Sequence, residues 1–103
     1  MAEVSPLLAE VFERDNGRCR LCDKELKLNP KSCRVNHVVP VEQGGPDELF
    51  NIQLSCPSCD QQRGRLSNLD YEQQLYTKNR KAWESYRKAQ GRRQITTTIS
   101  PFR

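Results

Sequence analysis

The 103 residues predict a small α+β domain with an N-terminal helix, a two-stranded ribbon and a long C-terminal helix, stapled by a metal ion. Three observations carry this. Cys19 and Cys22 form one C-x-x-C pair and Cys56 and Cys59 a second, with 33 residues between them. The span between the pairs holds two short β-favouring runs on either side of a Gly-Gly loop. Outside the pairs, apolar residues recur at helical spacing.

Each element has its own signal. "SPLLAEVFERDNG" reads as a helix with Ser5 as N-cap, Pro6 in its first turn, Leu7, Leu8, Val11 and Phe12 on one face, and Gly17 as its stop. "CRLCDKEL" is a compact cysteine turn and "KLNPKS" a loop. "CRVNHVVP" is rich in valine and ended by Pro40, which predicts a strand. "VEQGGPDELFN" reads as an ordered loop, and "IQLS" as a second strand pairing antiparallel with the first. "CPSCDQQRG" should turn into a helix kept short by Gly64. A longer helix is expected over 68–90, with Leu69, Leu75 or Tyr76, Ala82 or Trp83, Tyr86 and Ala89 near helical spacing and Gly91 as its stop. The remainder, 91–103, reads as an extended tail. The chain is thus expected to be one domain.

A core this small needs help from disulfides, a metal or a partner. Only 35% of residues are hydrophobic, and no apolar run approaches the roughly 20 residues of a membrane span. The beginning, "MAEVSPLLAEVFERDNG", carries acids where a secretory signal is basic, so a cytoplasmic location is expected. Five cysteines, an odd number, then favour metal binding over disulfides. The net charge of +4 is unevenly spread: residues 1–60 hold 7 Lys/Arg against 10 Asp/Glu, and residues 61–103 hold 10 against 3. A basic half of this kind points to a nucleic acid partner; a merely solvated basic helix is the alternative.

Two C-x-x-C hooks close a tetrahedral shell around Zn²⁺, because each bends the backbone over one edge of the tetrahedron and thiolates suit this ion. A closed four-thiolate shell leaves no open coordination position, so this zinc is expected to be structural. Two redox dithiols or simple buried thiols are the competing reading. Cys33, left over, reads as a small buried hydrophobe.

His37, in "VNHVVP", is the single histidine. From its position alone it is core, surface or catalytic. Its company is Gly44, Gly45 and Asn51, then Asp60 and Arg63 directly after the second pair. Taken singly, Asn51 reads equally as a helix or turn cap, Asp60 as first-turn capping and Arg63 with Arg65 as a solvated helix end.

Together, "VFERDNGRCRLC", "VNHVVPVEQGGPDELFNIQLSC" and "CPSCDQQRG" resemble the HNH endonuclease family, the zinc-stapled branch of the ββα-metal nucleases, over about half of the chain, an HNH-like core at about 12–64. The resemblance implies a treble-clef-like core and metal-dependent hydrolysis or nicking of DNA. It implies His37 as general base, since an imidazole is able to accept a proton from water near neutrality. It makes Asn51 the residue that orients the His, and Asn36 and Asp60 the ligands of a catalytic Mg²⁺ or Mn²⁺. The family usually has Asp where Asn36 stands and His or Asn where Asp60 stands, so the carboxylate and the amide are exchanged here. Arg63, counted with the catalytic residues, and Arg65 would clamp phosphate. Lys78, Arg80, Lys81, Arg87, Lys88, Arg92 and Arg93 would track the DNA backbone. Tyr71, Tyr76, Trp83 and Tyr86 read as the packed face of the long helix in preference to base-stacking platforms. The competing function is a zinc-dependent nucleic-acid or protein binding module without cleavage.

Overall fold

A computed structural model describes the backbone of residues 4–96 and the side chains of residues 4–91. Helix α1 spans Pro6–Arg14, capped as expected: Ser5 Oγ accepts from Leu8 N at 3.1 Å. Leu8 and Val11 are buried and Phe12 packs beside them, but Leu7 is exposed. The helix sits on only one side of the ribbon, so its apolar stripe is narrower than the sequence suggests.

Strands β1 (Arg34–His37) and β2 (Ile52–Ser55) form the antiparallel ribbon, with Arg34 opposite Ser55, Val35 opposite Leu54, Asn36 opposite Gln53 and His37 opposite Ile52. Alternation along the strands turns Val35, Ile52 and Leu54 toward α1, where they form a core with Leu8, Val11 and Cys33. Asn36, Gln53 and Ser55 occupy the other face. The first strand ends before the "VVP" expected to continue it. Val38 N still reaches Asn51 O at 2.8 Å, but both backbone groups of Val39 are taken by the Asn51 side chain, which turns the chain into the loop.

The end of α1 is pinned to β2 by charge. Buried Asp15 accepts from Arg14, from Arg20 Nη1 at 2.5 Å and from Leu54 N at 3.0 Å, while Arg14 Nη2 donates to Ile52 O at 2.6 Å.

Helix α2 (Pro57–Arg63) starts on Cys56 and ends at Gly64, where φ is +57°. The single helix expected over 68–90 is two: α3 (Asn68–Lys78) and α4 (Arg80–Thr96). Asn79 separates them, with φ −152° and ψ 84°; its Oδ1 accepts from Ala82 N at 3.1 Å, so it caps the second helix. The helices fold on each other and bury Tyr71, Leu75 and Tyr86 against the cysteines, with Ala89 also buried on α4. Leu69 and Tyr76 remain exposed, contrary to the packed face expected of them. Gly91 does not stop the helix, and α4 occupies the first part of the expected tail; 97–103 lie outside the described residues. Gln90 Nε2 donates to Arg20 O at 2.7 Å and ties α4 to the first cysteine turn. Among the described residues no helix is long and apolar enough to cross a membrane.

Candidate active site and metal centre

The ligand atoms of Cys19, Cys22, Cys56 and Cys59 lie within 4.8 Å of one another. A Zn–S bond of about 2.3 Å gives a tetrahedron with edges of about 3.8 Å, and Cys22 Sγ is 4.0 Å from Cys56 Sγ. Backbone amides support the sulfurs: Leu21 N and Cys56 N point at Cys19 Sγ, at 3.4 and 3.3 Å, and Cys59 N at Cys56 Sγ, at 3.4 Å. Four sulfurs this close share their protons. Hydrogen bonding from Cys19 lowers Cys22 to about 7 and also holds Cys56 down, while hydrogen bonds to Cys22 and to Cys19 push the thiols of Cys19 and Cys59 up. A divalent cation relieves that competition by binding all four as thiolates. The donor set fits a structural ion of the zinc type. Cys33 stands apart, buried in the α1 core, with Sγ donating to Lys27 O at 2.9 Å.

The second centre lies at the far end of the ribbon. A groove of about 230 Å³ is lined by Asn36, His37, Val41, Arg63 and Arg65 among others. His37 Nε2 is 3.0 Å from Asp47 Oδ1, a partner that the sequence did not single out. Asp47 is exposed on the Gly-Gly loop, so only the loop's path brings it to the ring.

Asn51 sets that path. Its Oδ1 accepts from Val39 N at 3.0 Å, and its Nδ2 donates to Val39 O at 2.9 Å and to Pro46 O at 2.8 Å. These bonds span the loop that follows His37, so Asn51 is a loop brace and not a helix cap. It is buried, as the brace requires. Gly45 makes room for it: a Cβ there would lie 1.9 Å from Val39 O and 2.9 Å from Asn51 Nδ2. The Gly-Gly pair is therefore a matter of close approach at Gly45 and of a left-handed turn at Gly44, where φ is +91°.

Asn36 and Asp60 meet, 24 residues apart in sequence: Asn36 Nδ2 donates to Asp60 Oδ1 at 2.7 Å and to Ser55 Oγ at 2.8 Å. The contact is through the amide nitrogen. Asn36 Oδ1 is turned inward and accepts from Gln53 Nε2 at 2.9 Å.

Arg63 is not an exposed clamp. It is 4% exposed, and Nη1 donates to Leu66 O at 2.6 Å, with longer approaches to Val38 O and Asn68 Oδ1, both at 3.4 Å. Burial lowers its pKa, and the Asp60 charge works in the opposite direction. Helix α2 is too short to carry its last residue clear of β1, so the guanidinium fills the gap to the next segment. Arg65, with its side chain 88% exposed, points outward near Glu42. Lys78, Arg80, Lys81, Arg87 and Lys88 are exposed on α3 and α4, while the side chains of Arg92 and Arg93 lie outside the described residues. Arg80 stacks 3.9 Å over the Tyr76 ring and Arg87 lies 5.4 Å from the Trp83 ring, so two of these cations are held against aromatic faces.

A cysteine cluster able to hold a metal ion, a ribbon that ends in a histidine, and a helix that follows the second cysteine pair make a small α+β module with the ligand set of a zinc-binding domain. Residues 19–66 match the model of the HNH endonuclease family. The match begins at the first cysteine of the cluster, includes His37, Asn51 and Asp60, and ends just past α2. No curated protein matches the chain.

Proposed function

We propose that this protein is a divalent-metal-dependent HNH-type endonuclease or nickase that hydrolyses DNA phosphodiester bonds on a treble-clef-like core. The observation that supports the reading is that Asn36 and His37 line one groove, with Asn36 hydrogen-bonded to Asp60, inside the segment that matches the family. His37 is the base. With Nε2–H donated to Asp47, Nδ1 is the acceptor: it takes a proton from water, the oxygen attacks phosphorus, and the bond to the 3′ oxygen breaks. Asp60, which accepts the N–H of Asn36, would be the residue that holds Mg²⁺ or Mn²⁺. Such an ion would supply polarisation of the phosphate and stabilisation of the leaving oxygen.

Asn51 keeps the loop and hence Asp47 in place. Arg63 supports the groove from within, and Arg65, Lys78, Lys81, Arg87 and Lys88, with Arg92 and Arg93 beyond them, give DNA affinity through phosphate. The expected location is the cytoplasm, where thiols stay available to a metal.

Nicking of supercoiled plasmid in Mg²⁺ or Mn²⁺, lost in His37→Ala, is the expected result. Because the imidazole is partly exposed and outside both core clusters, the variant stays folded. No cleavage by zinc-loaded wild type over a panel of metals and DNA forms would sink the reading. A second reading, a binding module without cleavage, is favoured by one observation: Asn36 offers Asp60 its N–H and not an oxygen. Gel-shift binding of DNA without nicking would select it.

A further inference from the structure

The ribbon face toward α2 carries a continuous chain of side-chain amides. Gln53, fully buried, pairs amide to amide with Asn68: Nε2 donates to Asn68 Oδ1 at 2.9 Å and Asn68 Nδ2 donates to Gln53 Oε1 at 2.8 Å. Gln53 Nε2 also reaches Asn36 Oδ1, and Asn36 passes its own N–H groups to Ser55 and Asp60. At the other end Arg63 Nη1 approaches Asn68 Oδ1 at 3.4 Å.

An amide can be turned end for end with little change of shape, so its direction is decided by its partners. Here both ends of the chain have fixed sense. A guanidinium only donates and a carboxylate only accepts. Turning one amide sets two donors or two acceptors face to face. Turning all three sets Asn68 N–H against Arg63 and the Asn36 oxygen against Asp60. One direction satisfies every partner.

We propose that Gln53, Asn68 and Arg63 are positioning residues that lock the N–H of Asn36 toward Asp60, so that a divalent ion here is met by Asp60 and by no oxygen of Asn36. The amide therefore does not fit the ligand role that the family pattern suggests for position 36. Its N–H occupies the side of Asp60 where a cation would otherwise balance the carboxylate. The surroundings instead suit a carboxylate at 36, because Gln53 offers it an N–H and Ser55 a hydroxyl. The consequence for cleavage rests on the nuclease reading; the lock itself does not.

The probe is Mn²⁺ titrated into the zinc-loaded full chain, with free Mn²⁺ read by electron paramagnetic resonance. Gln53→Glu keeps the shape but can only accept, which turns the Asn36 oxygen outward; Mn²⁺ binding should tighten about tenfold, the size of one hydrogen bond to a charged group. In an Asn36→Asp background the same change should weaken binding, because the carboxylate at 36 loses its donor. Opposite signs are the signature, since an added negative charge alone would tighten both. Equal effects in the two backgrounds would overturn the proposal.

A second measurement needs no variant and survives a Gln53→Glu that fails to fold. In isotope-labelled wild type, a through-hydrogen-bond coupling should link Asn36 Nδ2 to the Asp60 carboxyl carbon. A coupling or contact that places the Asn36 oxygen beside Asp60 would overturn the lock whether or not DNA is cut.

Discussion

Replacing Asn51 by Ala removes three hydrogen bonds to the loop that follows His37. Each such bond is worth about 1 kcal/mol net, and Asn51 is only 5% exposed, which points to about 3 kcal/mol. Val39 is 37% exposed, however, so water can take over part of its pairing. The expected loss is then about 2 kcal/mol. With a urea slope of about 1.5 kcal/mol per molar, the unfolding midpoint of zinc-saturated protein should fall by roughly 1.3 M. The Val39 amide should also exchange with solvent much faster, and nicking should weaken because Asp47 is no longer held beside His37. Asn51→Asp discriminates further. An Asp would serve equally well as a cap, but here it turns two donations into contacts between a carboxylate and the carbonyls of Val39 and Pro46, so it should be no more stable than the Ala variant. A midpoint within 0.3 M of wild type (about 0.5 kcal/mol on that slope), with Val39 exchange unchanged, would refute the brace.

Two further predictions concern the scaffold. Zinc should be stoichiometric in protein purified under reducing conditions and unaffected by Cys33→Ser, whereas a strong chelator, or acidification that protonates the thiolates, should release the ion and unfold the chain; circular dichroism together with metal analysis checks both. Asp15→Ala should cost about 3–5 kcal/mol in urea unfolding, because it strips a buried carboxylate from Arg14, Arg20 and the Leu54 amide and leaves the Arg20 cation buried without it.

Much of this protein was legible locally. A C-x-x-C turn dictates its own geometry, so the four ligands, and the exclusion of Cys33, followed from spacing. Ser5 and Pro6 mark a helix start, and the run of Val and Ile with a Gly-Gly loop marks a hairpin, because caps, turns and alternation act within a few residues. The break at Asn79 was also written locally, as an Asn three residues before Ala82, but the apolar spacing that continues from Leu75 to Ala89 concealed it. Two helices and one long helix share that period.

What required tertiary structure is whatever depends on two segments meeting. The sequence alone determined which chemical groups are available: one imidazole, four paired thiols, an amide at 36 and a carboxylate at 60. Only the folded chain decided which atom of each faces which partner. It buried Arg63 as a brace, brought Asp47 to His37, and ran the amides of Asn68, Gln53 and Asn36 in one direction between a cation and an anion. Residue identity specifies that an amide has a donor end and an acceptor end. Its direction is settled by charges 24 and 27 residues away in the chain, which local pattern does not contain.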